Sequence, residues 1–205
     1  ANRSIHYRDC YQLINQQGGA RLELFLTPDT LPPTVQSITS SSANGLYGTG
    51  STIAICVSFS EDVTVDSSTG IPSLLLNTGL NPRTASYTSG SGTNTLTFHY
   101  TVQPGDSATH LDYASINALT LQGGTIQDAA GNQADLTLPS PGATGSLGAN
   151  NILLIDGVAP VVKSITSANA DGNYGLGALL TLVARFSEPV RVNTATGVPT
   201  LRLET

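Results

Sequence analysis

At 205 residues the chain has room for one or two domains. A formal net charge of −6, with Lys163 the only lysine, excludes a phosphate-backbone binder, so no nucleic-acid partner is expected. Charged residues are only 11% of the chain, Ser and Thr fill 47 positions, and no apolar run reaches the roughly 18 residues of a membrane-spanning helix.

Residues 1–19 are polar, and no element is assigned there. Asn2-Arg3-Ser4 is a glycosylation acceptor pattern, with meaning only in a secreted eukaryotic protein. Arg21-Leu22-Glu23-Leu24 alternates and runs into Phe25-Leu26, which predicts a strand, and Thr27 to Pro33 is a proline-containing linker. A short strand is expected at Val35–Ser40, followed by turn signals at Asn44-Gly45, Gly48 and Gly50. Thr52 to Phe59 alternates, putting Ile53, Ile55, Val57 and Phe59 on one face, and Val63 and Val65 alternate again. Short strands follow at Ser73–Leu76 and Thr84–Thr88. Thr95 to Val102 is the clearest strand, with Leu96, Phe98, Tyr100 and Val102 on one side and His99 on the other. Pro104-Gly105-Asp106 ends it. Further strands are expected near Ala118–Leu121, Thr125–Ile126, Ala134–Leu138 and Ile152–Ile155, with a surface loop over Pro139–Asn150. No segment keeps a helical period. Short strands with regular turn signals predict an all-β sandwich or barrel.

One stretch occurs twice. Residues 34–78 recur as residues 161–205 at a constant offset of 127, and 21 of the 45 aligned pairs are identical. Upstream, Asp29, Pro33 and Val35 match Asp156, Pro160 and Val162. The expected organisation is therefore the tail of a preceding unit and a linker (1–33), one complete unit (34–160), and the opening strands of the next (161–205). A segment of a longer tandem array is expected. The two cysteines form no framework. Cys56 is replaced by Val183 in the second copy and reads as a small buried hydrophobe, with a Cys10–Cys56 or interchain disulfide left open.

Phe59-Ser60-Glu61-Asp62-Val63 and Phe186-Ser187-Glu188-Pro189-Val190 resemble the signature of bacterial immunoglobulin-like repeats. So do Asp128-Ala129-Ala130-Gly131-Asn132, the junction Asp156 to Pro160, and the stretch from Tyr87 to Phe98. The resemblance covers residues 34–205 and extends to 20–33 but not to 1–19, and similar modules occur in algal flagellar-hair (mastigoneme) glycoproteins. It implies tandem immunoglobulin-like β-sandwiches in a large extracellular or cell-surface protein. The function it implies is structural, a module of a stalk, filament or surface fibre. Its partners would be neighbouring repeats of the same chain and other copies in the assembly. The alternative is an adhesin module that grips a glycan or protein through its loops, with Tyr47, Tyr87 and Tyr113 as exposed contacts. Asp62 departs from the proline at position 189 and adds a carboxylate beside Glu61.

The acids near the junctions are the candidate site. In such a sandwich the second strand runs back toward the chain's entry, which places Glu61 near the linker residue Asp29, and Asp128 in a late turn reaches the same pole. Carboxylates from a linker and two loops offer the oxygen ligands that Ca²⁺ takes, about six to eight in number. By the repeat, Asp156 and Glu188 form the same set at the next junction, and Asp62 adjoins the first. The competing reading is that Glu61 bonds backbone amides and Asp128 caps its own turn. Asp106 reads as a turn residue, and His110 with Asp112 lacks further metal ligands. No phosphate loop, paired-histidine motif or nucleophile elbow is present, so no enzyme is expected.

Overall fold

A computed structural model describes residues 10–16, 19–25 and 28–203, with side-chain environments over 28–203. Asn2 and the side chain of Cys10 lie outside these residues. Two compact units divide the chain, residues 1–157 and 158–205.

The first unit opens with an antiparallel hairpin of β1 (Cys10–Gln16) and β2 (Gly19–Phe25). There follow β3 (Val35–Ser40), β4 (Gly45–Gly48), β5 (Thr52–Asp66), β6 (Ser73–Asn77), β7 (Arg83–Ser89) and β8 (Thr93–Thr101). Five short strands complete it: β9 (Ser107–Ala108), β10 (Asp112–Tyr113), β11 (Leu119–Thr120), β12 (Thr125–Gln127) and β13 (Leu153–Asp156). A single helical turn, α1 (Leu147–Asn150), precedes β13.

β5 is the spine of the unit. One edge carries β3, with Val35 opposite Phe59, and the other carries β8, with Ile55 opposite Phe98. Past Ser58 its register to β8 shifts, with Val63 opposite Thr93, and on the other edge Thr64–Asp66 pairs with β12. β7, β6 and β10 extend the sheet beyond β8, and β11 also pairs with β6. A second, three-stranded sheet is built on β13, which runs parallel to β4 and antiparallel to β9. The two sheets share one core in a sandwich-like arrangement. The alternation of β5 buries Ile53, Ile55, Val57 and Phe59, and that of β8 buries Leu96, Phe98 and Tyr100. Leu153 and Ile155 of β13 and Leu147 of α1 join the same cluster. Each such aliphatic or aromatic side chain contributes roughly 1.5–3 kcal/mol on burial.

Four expectations are corrected. The glycines at 45 and 48 do not mark turns alone, because Gly45–Gly48 is β4, held by its parallel ladder to β13. Pro139–Asn150 is not simply surface loop: Ser146 caps α1 by accepting a hydrogen bond from Ala149 N, and both Ser146 and Leu147 are fully buried. Ala134–Leu138 alternates but forms no strand, only an isolated bridge from Asp135 to Thr34, with another just before it from Gln133 to Gln127. Cys56 is a free, half-buried thiol that alternates with the buried residues of β5, so it is not a core hydrophobe.

The second unit contains an antiparallel hairpin of β14 (Val162–Ser167) and β15 (Leu182–Phe186). Its register is that of β3 and β5 moved by the repeat offset. Val162 faces Phe186 as Val35 faces Phe59, and the same irregularity follows one residue later. Side-chain staples recur too. Ser60 Oγ accepts from Thr34 N, and Ser187 Oγ from Val161 N, each at 3.0 Å. Ser42 Oγ accepts from Ala54 N at 3.0 Å, and Asn169 Oδ1 from Thr181 N at 2.7 Å. Tyr47 and Tyr174 each donate a hydroxyl hydrogen bond to the carbonyl four residues back, of Ala43 and Ala170.

Candidate functional site

The turn Asp128-Ala129-Ala130-Gly131-Asn132 builds the pole where the linker enters. Asp128 is buried, and its Oδ1 accepts hydrogen bonds from Ala130 N and Asn132 N, both at 2.8 Å. Its Oδ2 accepts from Asn132 Nδ2 at 2.7 Å. The same amide nitrogen reaches the linker carbonyls of Asp29 at 3.2 Å and Leu31 at 3.4 Å. Asp29 closes its own turn by accepting from Leu31 N at 3.0 Å. Asp135 N then donates to Pro33 O at 2.8 Å, and Ser60 N to Thr34 O at 2.8 Å. The linker from 29 to 34 is thus stitched to the unit at every second or third residue.

This places Asp29, Glu61 and Asp128 together. One carboxylate oxygen from each lies within 4.8 Å of the other two. Asp29 is exposed, Glu61 half-buried and Asp128 buried. Glu61 reaches the group because it sits in β5 where the ladder to β8 is interrupted, between Ser58 and Val63. Burial alone would raise the Asp128 carboxyl's pKa. The hydrogen bonds from the Asn132 side chain, and from the backbone N–H groups of Asn132, Ala130 and Gly131, outweigh it and hold the carboxyl below its ordinary range. Donors of its own turn therefore account for the ionised Asp128. Three clustered carboxylates beside the carbonyls of Asp29 and Leu31 are also an oxygen set of the kind Ca²⁺ coordinates.

The remaining expected ligands fall elsewhere. Asp62 is exposed and outside the three-carboxylate group. Asp156 ends β13 in the first unit, and Glu188 follows β15 in the second. His110 is exposed, while Asp112 Oδ1 accepts from Tyr113 N and its Oδ2 from Gly142 N, each at 2.9 Å. Asn132, which the sequence offered only as part of a motif, is the residue that fastens linker to turn; its amide is the one side chain there with two donors and a reach to three acceptors.

Asp106 is more than a turn residue. Its side chain is fully buried, with Oδ1 accepting from Arg83 Nε at 2.8 Å and Oδ2 from Tyr100 Oη at 2.7 Å and Gln103 N at 2.8 Å. Burial opposes its charge, but the hydrogen bonds from Tyr100, Arg83 and Gln103 prevail and its pKa is lowered. Tyr100 is pushed in the other direction, upward, by burial and by the carboxylate it bonds. The turn also receives the end of β13: Gly105 N donates to Gly157 O at 2.8 Å and Gly157 N to Asp106 O at 2.7 Å. A Cβ on Gly157 would stand 2.4 Å from Gln103 O, so only glycine fits there.

The tyrosines expected as exposed contacts are engaged internally. Tyr113 is buried and donates to Pro139 O at 2.6 Å, which removes it from any loop surface. Tyr87 packs edge-on against Phe98 at 5.9 Å and accepts from Ser91 N. Among the described residues no helix is long and apolar enough to cross a membrane. No protein-family model matches the chain, and neither a curated protein nor a solved structure does.

Proposed function

We propose that the chain is a structural module of a tandem extracellular array, of the bacterial immunoglobulin-like repeat type, which builds a stalk, filament or surface fibre. The observation that carries this reading is the recurrence of residues 34–78 at 161–205, with strand register and side-chain staples kept at the same offset. An array lengthens by adding units that repeat one frame. The stitching supports the reading as well. Entry is fastened through Asn132 and Asp135, and exit through Gly157, so each end of the sandwich is held by several hydrogen bonds. Prolines at 32 and 33 further limit bending of the linker. The adhesin alternative loses Tyr113 as a contact and retains only half-buried Tyr47 and Tyr87.

Electron microscopy of the native particle tests the proposal. A fibre or stalk with a regular axial repeat is the expected image. Dispersed compact particles with no periodicity would overturn it, and saturable binding on a glycan array would favour the adhesin.

A further inference from the structure

Asn44-Gly45 is the one Asn-Gly pair in the chain. In such a pair the following backbone nitrogen can attack the asparagine side chain unhindered, because glycine carries no Cβ and turns freely. Here both reacting groups are tied to a single distant residue. Asn44 Oδ1 accepts from Ile152 N at 2.9 Å, and Gly45 N donates to Ile152 O at 2.9 Å. This bracket opens the parallel ladder in which Leu153 to Asp156 of β13 face Gly45 to Gly48 of β4. The residues before Ile152 are anchored as well: Asn150 Nδ2 donates to Ile38 O, and Asn151 Oδ1 accepts from Ser40 N, each at 2.8 Å. Asn44 is exposed, so water reaches it. At the matching place of the second copy stands Asp171, followed by Gly172.

We propose that Asn44 is a modification site, a deamidation site that β13 keeps shut and that reacts once β13 leaves β4. In the closed state the Gly45 N–H is engaged by Ile152 O, and the Asn44 side chain is held on Ile152 N. The nitrogen can neither lose its proton readily nor turn toward Asn44 Cγ. When the ladder opens, Gly45 N gives up its proton to the solvent and its electron pair forms a bond to Cγ. The bond from Cγ to the side-chain amide nitrogen breaks, and ammonia leaves. The resulting succinimide takes up one water at either carbonyl, giving aspartate or isoaspartate. The aspartate product keeps an oxygen for Ile152 N and re-forms the bracket. The isoaspartate product lengthens the main chain by one carbon between the two bonds to Ile152, and the start of the β4–β13 ladder falls out of step. Opening of the ladder is thereby recorded covalently and without reversal. The site follows from the bracket alone and does not depend on what the array builds.

The test incubates the full 205-residue chain in mildly alkaline buffer, with and without denaturing urea, and follows Asn44 by peptide mapping that resolves aspartate from isoaspartate. Reaction in urea should be roughly a hundredfold faster or more, since local opening limits the native rate. Leu153→Ala removes a fully buried side chain of β13 and should raise the native rate roughly tenfold. Leu76→Ala, an equally buried leucine on β6 of the other sheet, should leave it within about twofold. After refolding, hydrogen exchange should show protection at 45–48 and 153–156 regained by the aspartate form and lost in the isoaspartate form. Asn44→Asp should melt like the wild type. Equal rates with and without urea, no reaction at Asn44 in urea, an equal rise for Leu76→Ala, or full protection in the isoaspartate form would each overturn the proposal.

Discussion

β3 with β5, and β14 with β15, are one hairpin written twice, yet the first is sealed inside a sandwich and the second presents its apolar face to solvent. Both keep the same register, the same irregularity after the first pair, and the same side-chain staples. Register in this hairpin is therefore set locally, by ladder bonds and by Ser60 or Ser187 closing the strand entry. Burial is not local. It needs a second layer, which in the first unit includes β13 and α1.

The sharpest way to break the comparison is to cut the same pattern in both places. Phe59→Ala should destabilise the first unit by about 3–5 kcal/mol, because it opens a cavity in a closed core. Phe186→Ala should cost the second hairpin under about 1 kcal/mol, since its ring is only partly covered. Urea unfolding followed by residue-resolved NMR separates the two. Comparable losses would mean that the second face is covered.

Next in size is the buried carboxylate of the first unit, Asp106. Asp106→Ala leaves the Tyr100 hydroxyl and Gln103 N without an acceptor and should cost about 2–4 kcal/mol, below the full range for a buried pair because Arg83 is partly exposed. The folded pKa of Asp106 lies below its ordinary 3.8, so its contribution is fully present above that pH and is lost as the pH falls through the lowered folded value. Asp128 acts in the same direction. Wild-type stability should thus fall steeply below pH 3.8, and Asp106→Asn should flatten that slope in acid melts. An unchanged slope would show that Asp106 does not dominate acid unfolding.

Smaller again is the effect of Ca²⁺ at Asp29, Glu61 and Asp128. A cation shared by the three should raise the melting temperature by a few degrees at millimolar Ca²⁺, with EDTA reversing it and Glu61→Gln removing the response. Identical melts with and without Ca²⁺ would assign these carboxylates to their turns alone. The smallest effect is expected from the paired staples. Ser60→Ala and Ser187→Ala should each cost about 0.5–1.5 kcal/mol, seen as faster amide exchange at Thr34 and Val161 respectively. Unequal losses would show that the closed core reinforces its staple.

Strands were legible where alternation coincided with a core face. The stretches around Ile53 and Phe98 announce themselves, because period-two burial leaves its mark directly in the residue types. β4 was not legible, since its glycines read as punctuation and its partner in the ladder, β13, lies more than 100 residues away. The Ala134–Leu138 stretch misled in the opposite sense: its alternation reflects partial burial without a continuous ladder. In the candidate site, Glu61 and Asp29 could be placed by strand direction and by their recurrence as Glu188 and Asp156. The reach of Asn132 and the burial of Asp106 and Tyr113 depend on contacts between distant segments, and local pattern carries no trace of them.

The attachment of β13 has a mechanical consequence. Gly157 is locked under the Asp106 turn, and the four residues before it are paired with β4 on one side, the last two also with β9 on the other. A pull applied along the strand from Gly157 loads those bonds in shear, so that they resist together rather than peel apart one after another. Tension along an array would therefore be borne at the unit's exit by a short ladder loaded in parallel, with a glycine as its clamp.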